Sequence, residues 1–278
     1  MAVSRQSTQW LVPDWPGLPP NIGALATTRR GGVSPAPYDD GQGGGGLNLG
    51  IHVGDQPHNV AQNRALLAAE LPDEPVWLNQ VHGVEVADAG KVRHGQVPTA
   101  DASIARAPNT VCAILTADCL PVLFCDTGGT VVGAAHAGWR GLADGVLQET
   151  TRAMREAGAG EIMAWLGVAI GPVRFEVGND VLQAFLKQAH ETYVAHEAGD
   201  AEDADAADAQ VRAAFTPIPA KPGKYLADMY ALARGILRRD GVSRVAGGEY
   251  CTVSNSGRFY SYRRDGVTGR QASLIWIK

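Results

Sequence analysis

Cysteine is scarce in this sequence, and its spacing does not suggest a disulfide framework. The 278 residues include 4 cysteines, at positions 112, 119, 125 and 251. Secreted domains that rely on disulfides carry more cysteines in shorter chains, so that class of protein is not indicated. In a reducing compartment a cysteine serves as a metal ligand, a nucleophile or part of the core. We therefore expect a cytoplasmic protein.

Long apolar runs and clusters of positive charge are missing as well. No stretch is long enough to cross a bilayer, and residues 1–15 lack the apolar segment of a secretory signal. The net charge is −5 at pH 7, with no block of Lys and Arg interleaved with aromatic residues. Binding along a phosphate backbone needs positive charge, so we expect neither nucleic acid nor a membrane as a partner.

Segments of strand-like and helix-like pattern alternate without a repeating period. Continuous apolar runs at 111–115, 122–124, 131–135 and 162–170 predict strands that are covered on both faces. Residues 24–29, 76–86 and the C-terminal segment are further strand candidates. Apolar residues at helical spacing predict helices over 59–71, 142–157 and 225–240. This mixture predicts an α/β or α+β fold.

Two segments differ in composition from this pattern. Residues 1–23, rich in proline and tryptophan, are expected to form an irregular lead-in to a single catalytic domain over residues 24–278. Residues 197–208 are dominated by acidic residues and alanine, with no Lys or Arg among them. We expect this flexible acidic insertion to be a solvated helix face or a partly disordered loop.

Three segments place a metal-binding side chain at the end of a predicted strand. These are His82 in NQVHG, Cys119 in TADCLP and His136 in AAHAGWRG. Zinc accepts two imidazoles and a thiolate, and three protein ligands leave its fourth position open for water or substrate. Residue chemistry leaves a second interpretation open, because buried Cys and His are common in cores and no CxxC or HxxxH spacing is present.

The same three segments resemble the signature segments of the YfiH family, also called laccase-domain or multicopper polyphenol oxidoreductase-like proteins and peptidoglycan editing factors. Further similar segments follow in order, at residues 28–34, 48–50, 52–55, 63–64, 169–172, 175–178, 260–265 and 268–270. The chain departs from the family at Val173-Arg174, where a cysteine is often found. The resemblance implies layered mixed β-sheets flanked by helices, as in the catalytic domains of deamidating toxins.

The resemblance implies a zinc-dependent purine nucleoside enzyme. The implied reactions are phosphorolysis of adenosine, inosine, guanosine and 5'-methylthioadenosine to the free base and (methylthio)ribose 1-phosphate, and deamination of adenosine to inosine. It implies zinc on His82, Cys119 and His136, with copper as the alternative metal. A laccase needs several copper centres, and 7 histidines with one compact ligand set do not favour that activity.

Other residues are candidates for proton transfer and substrate contacts. Deamination needs a carboxylate that moves protons, and Glu85 and Asp118 lie nearest to the ligands in sequence. Each has a structural alternative, as an exposed strand residue and a hydrogen-bonding aspartate. Phosphorolysis needs cationic and amide donors for phosphate and ribose, for which the candidates are Arg29, Asn48, Asn79, Arg140 and Arg264. Each of these can equally be structural.

Two functions of other classes remain open at this point. In a Cys–His hydrolase or amidase of peptidoglycan precursor editing, Cys119 would be the nucleophile and His136 the base. A non-enzymatic protein would use zinc for stability alone. For the nucleoside enzyme we expect a monomer whose partners are purine nucleosides and phosphate.

Overall fold

The structure is a computed structural model that describes residues 9–195 and 201–278, and the side chains of residues 9–190 and 205–278. Its strands are β1 (Ile22–Ala26), β2 (Arg30–Ser34), β3 (Val86–Asp88), β4 (Ala102–Ala105), β5 (Cys112–Thr116), β6 (Leu120–Asp126), β7 (Val132–Ala137), β8 (Ile162–Leu166), β9 (Glu176–Gly178), β10 (Phe215–Pro217), β11 (Lys224–Ala227), β12 (Arg244–Gly247) and β13 (Gln271–Ile277). Its helices are α1 (Pro57–Ala68), α2 (Trp139–Asp144), α3 (Val146–Glu156), α4 (Asn179–Ala195), α5 (Ala201–Ala213), α6 (Met229–Arg239) and α7 (Tyr262–Asp265).

The largest sheet is mixed and holds six strands in the order β12-β8-β6-β7-β4-β3. The β3–β4 and β12–β8 pairs are parallel, and the pairs among the inner strands are antiparallel. A second, antiparallel sheet has the order β1-β13-β5, and a small third sheet has the order β10-β11-β9. The expected fold of layered mixed sheets with flanking helices is therefore confirmed.

The six-stranded sheet is buried on both faces, as its apolar sequence predicts. On β6, Val122 and Phe124 pack in a core with residues of α2, α3, α4 and α6. The alternate residues Leu123 and Cys125 pack on the opposite face against residues of β5 and β13. Helix α1 packs on the far side of the second sheet through Leu67. Burying one such large apolar side chain contributes about 1.5–3 kcal/mol.

The predicted strand over residues 76–86 is wrong, although strands were found in the apolar runs. Only isolated bridges form in this segment before β3, at Val76 and Asn79. The side chain of Gln80 instead takes the place of a neighbouring strand: its Nε2 donates to Leu115 O and its Oε1 accepts from Leu115 N, each at 2.9 Å. The segment is therefore a loop fastened to the end of β5.

Local breaks also shorten two of the predicted helices. The one expected over 142–157 is divided at Gly145, whose φ of +101° separates α2 from α3. The one expected over 225–240 starts later, because Lys224–Ala227 pair as β11 and Asp228 caps α6 by accepting from Ala231 N. At the C-terminus, Tyr262 begins α7 where a strand was expected.

The acidic segment is partly helical. Residues 201–208 form the beginning of α5, so this part of the insertion takes the helical one of the two expected forms. Residues 197–200, and residues 1–8 of the expected lead-in, lie outside the described residues. Among the helices that the structure describes, none combines the length and the apolar character that crossing a bilayer requires.

The break at Gly145 gives a test of the helical layer. A Cβ at this position would meet nothing closer than Gln148 Oε1 at 3.7 Å, so the cost of Gly145→Ala comes from its positive φ alone. We expect this substitution to lower the free energy of unfolding by about 1–2 kcal/mol in urea denaturation. Gly160→Ala is the matched control, because its Cβ would lie in open space without a positive φ. Equal stability of the two variants would contradict the assigned role of Gly145.

Candidate metal centre

The pairing of β6 with β7 brings two of the predicted ligands together. His136 lies opposite Pro121 in the register, and Cys119 immediately precedes the first pair, Leu120 with Ala137. The loop that carries His82 lies across the same end of the sheet. Gly138 marks the contact, because a Cβ there would approach His82 Cδ2 to 2.7 Å and Cys119 Sγ to 3.3 Å. Only glycine leaves this space free.

The three side chains form one cluster. One ligand atom from each of His82, Cys119 and His136 lies within 4.8 Å of the other two. In the described part of the chain, no other group of three or more His, Cys, Asp or Glu residues has ligand atoms placed to hold a metal ion. His82 Nε2 is 3.8 Å from Cys119 Sγ. Tetrahedral zinc holds a sulfur and a nitrogen ligand roughly 3.6 Å apart, so the donor set and its spacing fit zinc.

One side of the cluster is open to solvent. His136 is 3 % exposed, whereas the His82 side of the cluster faces outward and Cys119 is half-buried. The backbone next to the opening is strained, because His82 has φ 63° and Asp118 has φ 92°. Non-glycine residues avoid this region, and those that adopt it are enriched at functional sites.

Asp101, which the sequence did not single out, orients two of the ligands. Its fully buried carboxylate accepts hydrogen bonds from the amides of Val81, His82 and Gly83 at 2.7–3.1 Å. It also accepts from His136 Nδ1 at 2.8 Å. With Nδ1 bound in this way, His136 presents Nε2 as a ligand atom. Asp101 lies just before β4 and resembles any turn residue, so only the fold reveals its role.

The cluster holds opposite charges in the absence of a metal. Burial raises the pKa of the Cys119 thiol, but hydrogen bonds and charge from His136 and then His82 outweigh it and lower the pKa to about 6. Burial lowers the pKa of His136, but Asp101 and the Cys119 thiolate outweigh it and raise the pKa to about 9. The thiolate that a metal requires is therefore present at neutral pH.

The two predicted proton carriers lie outside the cluster of three. The Asp118 carboxylate accepts from Thr252 Oγ1 and, at 2.6 Å, from Arg263 N, which fastens the ligand loop to the C-terminal segment. Glu85 is exposed, and its backbone oxygen accepts from Asp101 N at 3.0 Å. Their roles in catalysis stay predictions.

The predicted substrate-binding residues fall into two groups. Arg29, Asn48 and Arg264 hold the fold together. Arg29 is 6 % exposed and bonds to Asp39 and to Ser256 O. Asn48 is fully buried and donates to Asp55, while Arg264 donates to backbone oxygens between β12 and α7 and to Asp265.

Asn79 and Arg140, in contrast, are exposed on the segments that carry His82 and His136. Asn79 Nδ2 donates to Thr99 Oγ1 at 3.1 Å, and the Arg140 guanidinium lies over the Trp139 ring at 4.5 Å from its centroid. Both are placed where a substrate could reach them, and their contacts with substrate remain predictions.

Removing the charge of Asp101 tests its control of the ligands. We expect Asp101→Asn to weaken zinc binding by about 10–100-fold, measured by competition with a chelator, because His136 loses its fixed orientation. Asp126→Asn is the matched control: Asp126 is a buried carboxylate that accepts from Thr130 N and Val131 N at a turn. Equal zinc affinity in both variants would show that Asp101 does not orient the site.

The charge pair predicts that Cys119 is alkylated at lower pH than the buried Cys112 and Cys125 in metal-stripped protein. We expect iodoacetamide to label Cys119 with a midpoint near pH 6, because the reactive thiolate forms as pH rises through its lowered pKa. Cys112 and Cys125, whose pKa burial raises to about 12, should stay unlabelled at neutral pH. Peptide mass spectrometry separates the sites, and His136→Asn should move the Cys119 midpoint upward. An ordinary midpoint in the unsubstituted protein would refute the charge pair.

Comparison with known proteins places the chain in a family. Residues 23–278 match the family model described as multi-copper polyphenol oxidoreductase laccase. A Pseudomonas aeruginosa protein named purine nucleoside phosphorylase is 49 % identical over 97 % of this chain and 98 % of its own length. The Escherichia coli protein named purine nucleoside phosphorylase YfiH is 47 % identical over 96 % and 98 %.

Solved structures are similar over the same length. The crystal structure of Neisseria meningitidis protein NMB0706 has a TM-score of 0.82 and 46 % identity, covering 97 % of this chain and 99 % of that chain. YlmD from Geobacillus stearothermophilus has a TM-score of 0.80 and 29 % identity, covering 99 % and 98 %. The chain therefore belongs to the YfiH family of laccase-like proteins.

Proposed function

We propose that this protein is a zinc-dependent purine nucleoside phosphorylase that also deaminates adenosine. The observation that carries the proposal is the open cluster of His82, Cys119 and His136 in a chain whose curated relatives are named purine nucleoside phosphorylase. The proposed substrates are phosphate with adenosine, inosine, guanosine or 5'-methylthioadenosine. The metal is proposed to be zinc, because one thiolate and two imidazoles in a compact cluster are typical zinc ligands.

Zinc bound at these residues would supply a Lewis acid beside the substrate. The protein's part is to orient the ligands and to keep the sulfur anionic; His136, whose pKa is raised to about 9, would release its Nε2 proton when metal binds. Asp101 keeps the proton of His136 on Nδ1, and the lowered pKa of Cys119 keeps its sulfur anionic. Because His82 lies on the exposed side, a nucleoside can approach the cluster from solvent without a large rearrangement.

Each reaction needs further groups, which we propose among the exposed and loop residues. Arg140 and Asn79 are proposed to contact the nucleoside or phosphate, while Arg29, Asn48 and Arg264 support the loops around the site. For deamination, the exposed Glu85 lies three residues after His82. Asp118 must first release Thr252 or the Arg263 amide, because its carboxylate accepts from both.

The site does not favour a laccase reaction. Multicopper oxidases combine several copper centres, which requires many histidines. In the portion of the chain that is described, the side chains offer one cluster of three ligands. Copper could occupy this cluster in place of zinc, but the described side chains offer no ligand set for a second copper centre.

A Cys–His hydrolase is the second candidate, and a specific contact favours it. Asp101 Oδ1 lies 2.8 Å from His136 Nδ1, and His136 in turn interacts with the Cys119 thiolate, which is the order of groups in a catalytic triad. Zinc distinguishes the candidates. It occupies the thiolate, so it would inhibit a hydrolase of peptidoglycan precursors and activate a phosphorylase.

We place this reaction in the cytoplasm, where nucleosides and phosphate are available and the four free cysteines would stay reduced. One chain supplies all three ligands, so a monomer would hold a complete metal site, and we propose a monomeric enzyme.

Product analysis tests the proposed function. Zinc-loaded protein is incubated with adenosine, with and without phosphate, and adenine, inosine and ribose 1-phosphate are quantified. We expect adenine and ribose 1-phosphate only with phosphate, and inosine in both cases. Cys119→Ser should lower the rates of phosphorolysis and deamination by more than about 100-fold, which exceeds the loss expected for a residue that only orients a metal ligand. Cys125→Ser, in the core, is the matched control. Absence of nucleoside turnover by zinc-loaded protein would overturn the proposal.

A further inference from the structure

Two arginines with no carboxylate partner among the described residues flank the same short segment, residues 48–50. Arg64, on α1, donates through Nε and Nη2 to Leu49 O, both at 3.0 Å. The Arg270 backbone is bonded to this segment: its amide donates to the Asn48 side-chain oxygen, Oδ1, and its carbonyl accepts from Leu49 N. Its side chain lies along Gly50, where an added Cβ would be 2.7 Å from Arg270 Cγ.

The strand register places Arg270 beside the metal ligands. Gln271, the first residue of β13, pairs with Thr116, the last residue of β5. One step further, Arg270 therefore lies next to the loop that leads to Cys119. On the other side, Gln80 fastens the His82 loop to Leu115 of β5. The end of β5 is thus enclosed by the arginine and by both ligand loops.

Arg64 belongs to the same group of elements. Its guanidinium stacks over Trp77 at 4.2 Å from the ring centroid, in the segment that leads to His82. His52 follows the 48–50 segment and is exposed. Burial, then the positive charge of Arg270 and that of Arg64, lower the pKa of His52, so the His52 imidazole lies within electrostatic reach of both guanidinium groups.

Both arginines keep donors that the fold does not use. Arg270 Nη1 donates to Thr268 O and Gly269 O, but its Nε and Nη2 have no partner among the described residues, nor has Arg64 Nη1. None of these unpaired nitrogen atoms is fully buried, so each of them reaches solvent. Neither arginine has a carboxylate within 4.0 Å in the described structure, whereas Arg29 and Arg264 do.

Negatively charged groups lie near both arginines without forming a hydrogen bond or an ion pair with them. Burial lowers the pKa of Arg270, and the Cys119 thiolate and Asp118 raise it. Burial also lowers the pKa of Arg64 to about 10, and the charge of Glu74, which pairs with His94 at 3.5 Å, opposes this. Desolvated guanidinium groups with free donors gain most from a dianion that accepts several hydrogen bonds.

We propose that Arg270, Arg64 and His52 form the phosphate subsite of this enzyme, with Arg270 as the residue between phosphate and the metal ligands. The inference rests on the proposed phosphorolysis. In that reaction an oxygen of hydrogen phosphate forms a bond to C1' of the nucleoside as the bond from C1' to the base nitrogen breaks. The electron pair goes to the base, and the proton of hydrogen phosphate ends on the base. The two guanidinium groups and the His52 imidazole hold phosphate in position for this displacement.

Kinetics with two substrates tests the subsite. We expect Arg270→Gln to raise the KM for phosphate at least tenfold, and to raise the KM for adenosine in deamination, which uses no phosphate, by a much smaller factor. Arg64→Gln should act in the same direction, and Arg270→Lys should recover part of the loss. Arg238→Gln, on the exposed part of α6, is the matched control. Thermal melting of each variant separates binding from folding.

Phosphate binding is also measured without turnover, by titrating the His52 ring resonances of the metal-free and zinc-loaded protein with inorganic phosphate. We expect phosphate to raise the pKa of His52, and Arg270→Gln to reduce that shift. Phosphorolysis by the unsubstituted enzyme, with an unaltered KM for phosphate in both glutamine variants, would overturn the subsite and leave the proposed function intact. If phosphorolysis itself is absent, a His52 pKa that phosphate does not move overturns the subsite independently.

Discussion

The hydrogen bond from His136 to the buried Asp101 is the interaction on which the site depends. The carboxylate fixes the imidazole at 2.8 Å and also accepts three consecutive amides of the His82 loop. A buried carboxylate with so many donors stays ionised, and the pKa of Asp101 is lowered because His136 and the Gly83 and Val81 amides outweigh its burial. One side chain therefore positions two of the three ligands, and its loss would leave buried donors unpaired.

The layered core determines where this interaction can form. Strands β4, β6 and β7 are buried on both faces, so their register is fixed by packing, and that register brings Asp101, Cys119 and His136 to one end of the sheet. Gly138 then leaves room for His82 to enter from the loop. The metal ligands lie at the end of the sheet because there the backbone no longer pairs with a neighbouring strand and can form loops, while the paired strands hold those loops in place.

The sequence predicted those parts of the molecule that local pattern controls. Apolar runs identified strands β5 to β8, and the position of His82, Cys119 and His136 after such runs indicated one cluster. The loop at 76–86 has the alternating apolar residues of a strand, but there the Gln80 side chain bonds to Leu115 in place of a strand's backbone. Asp101, Arg64 and Arg270 act through contacts between distant segments, which periodicity does not encode. Arg29, Asn48 and Arg264 look like substrate contacts in sequence, yet their polar groups are used by the surrounding backbone and by neighbouring carboxylates.

Zinc K-edge X-ray absorption on metal-loaded protein tests the central claim most directly, that three protein ligands hold one metal ion and leave one position open. The account predicts one zinc per chain, with one sulfur at about 2.3 Å, two imidazole nitrogens at about 2.0–2.1 Å, and one exchangeable light-atom neighbour. The sulfur contribution should vanish in Cys119→Ser. Failure to bind stoichiometric zinc, or a zinc environment without sulfur, would contradict the account.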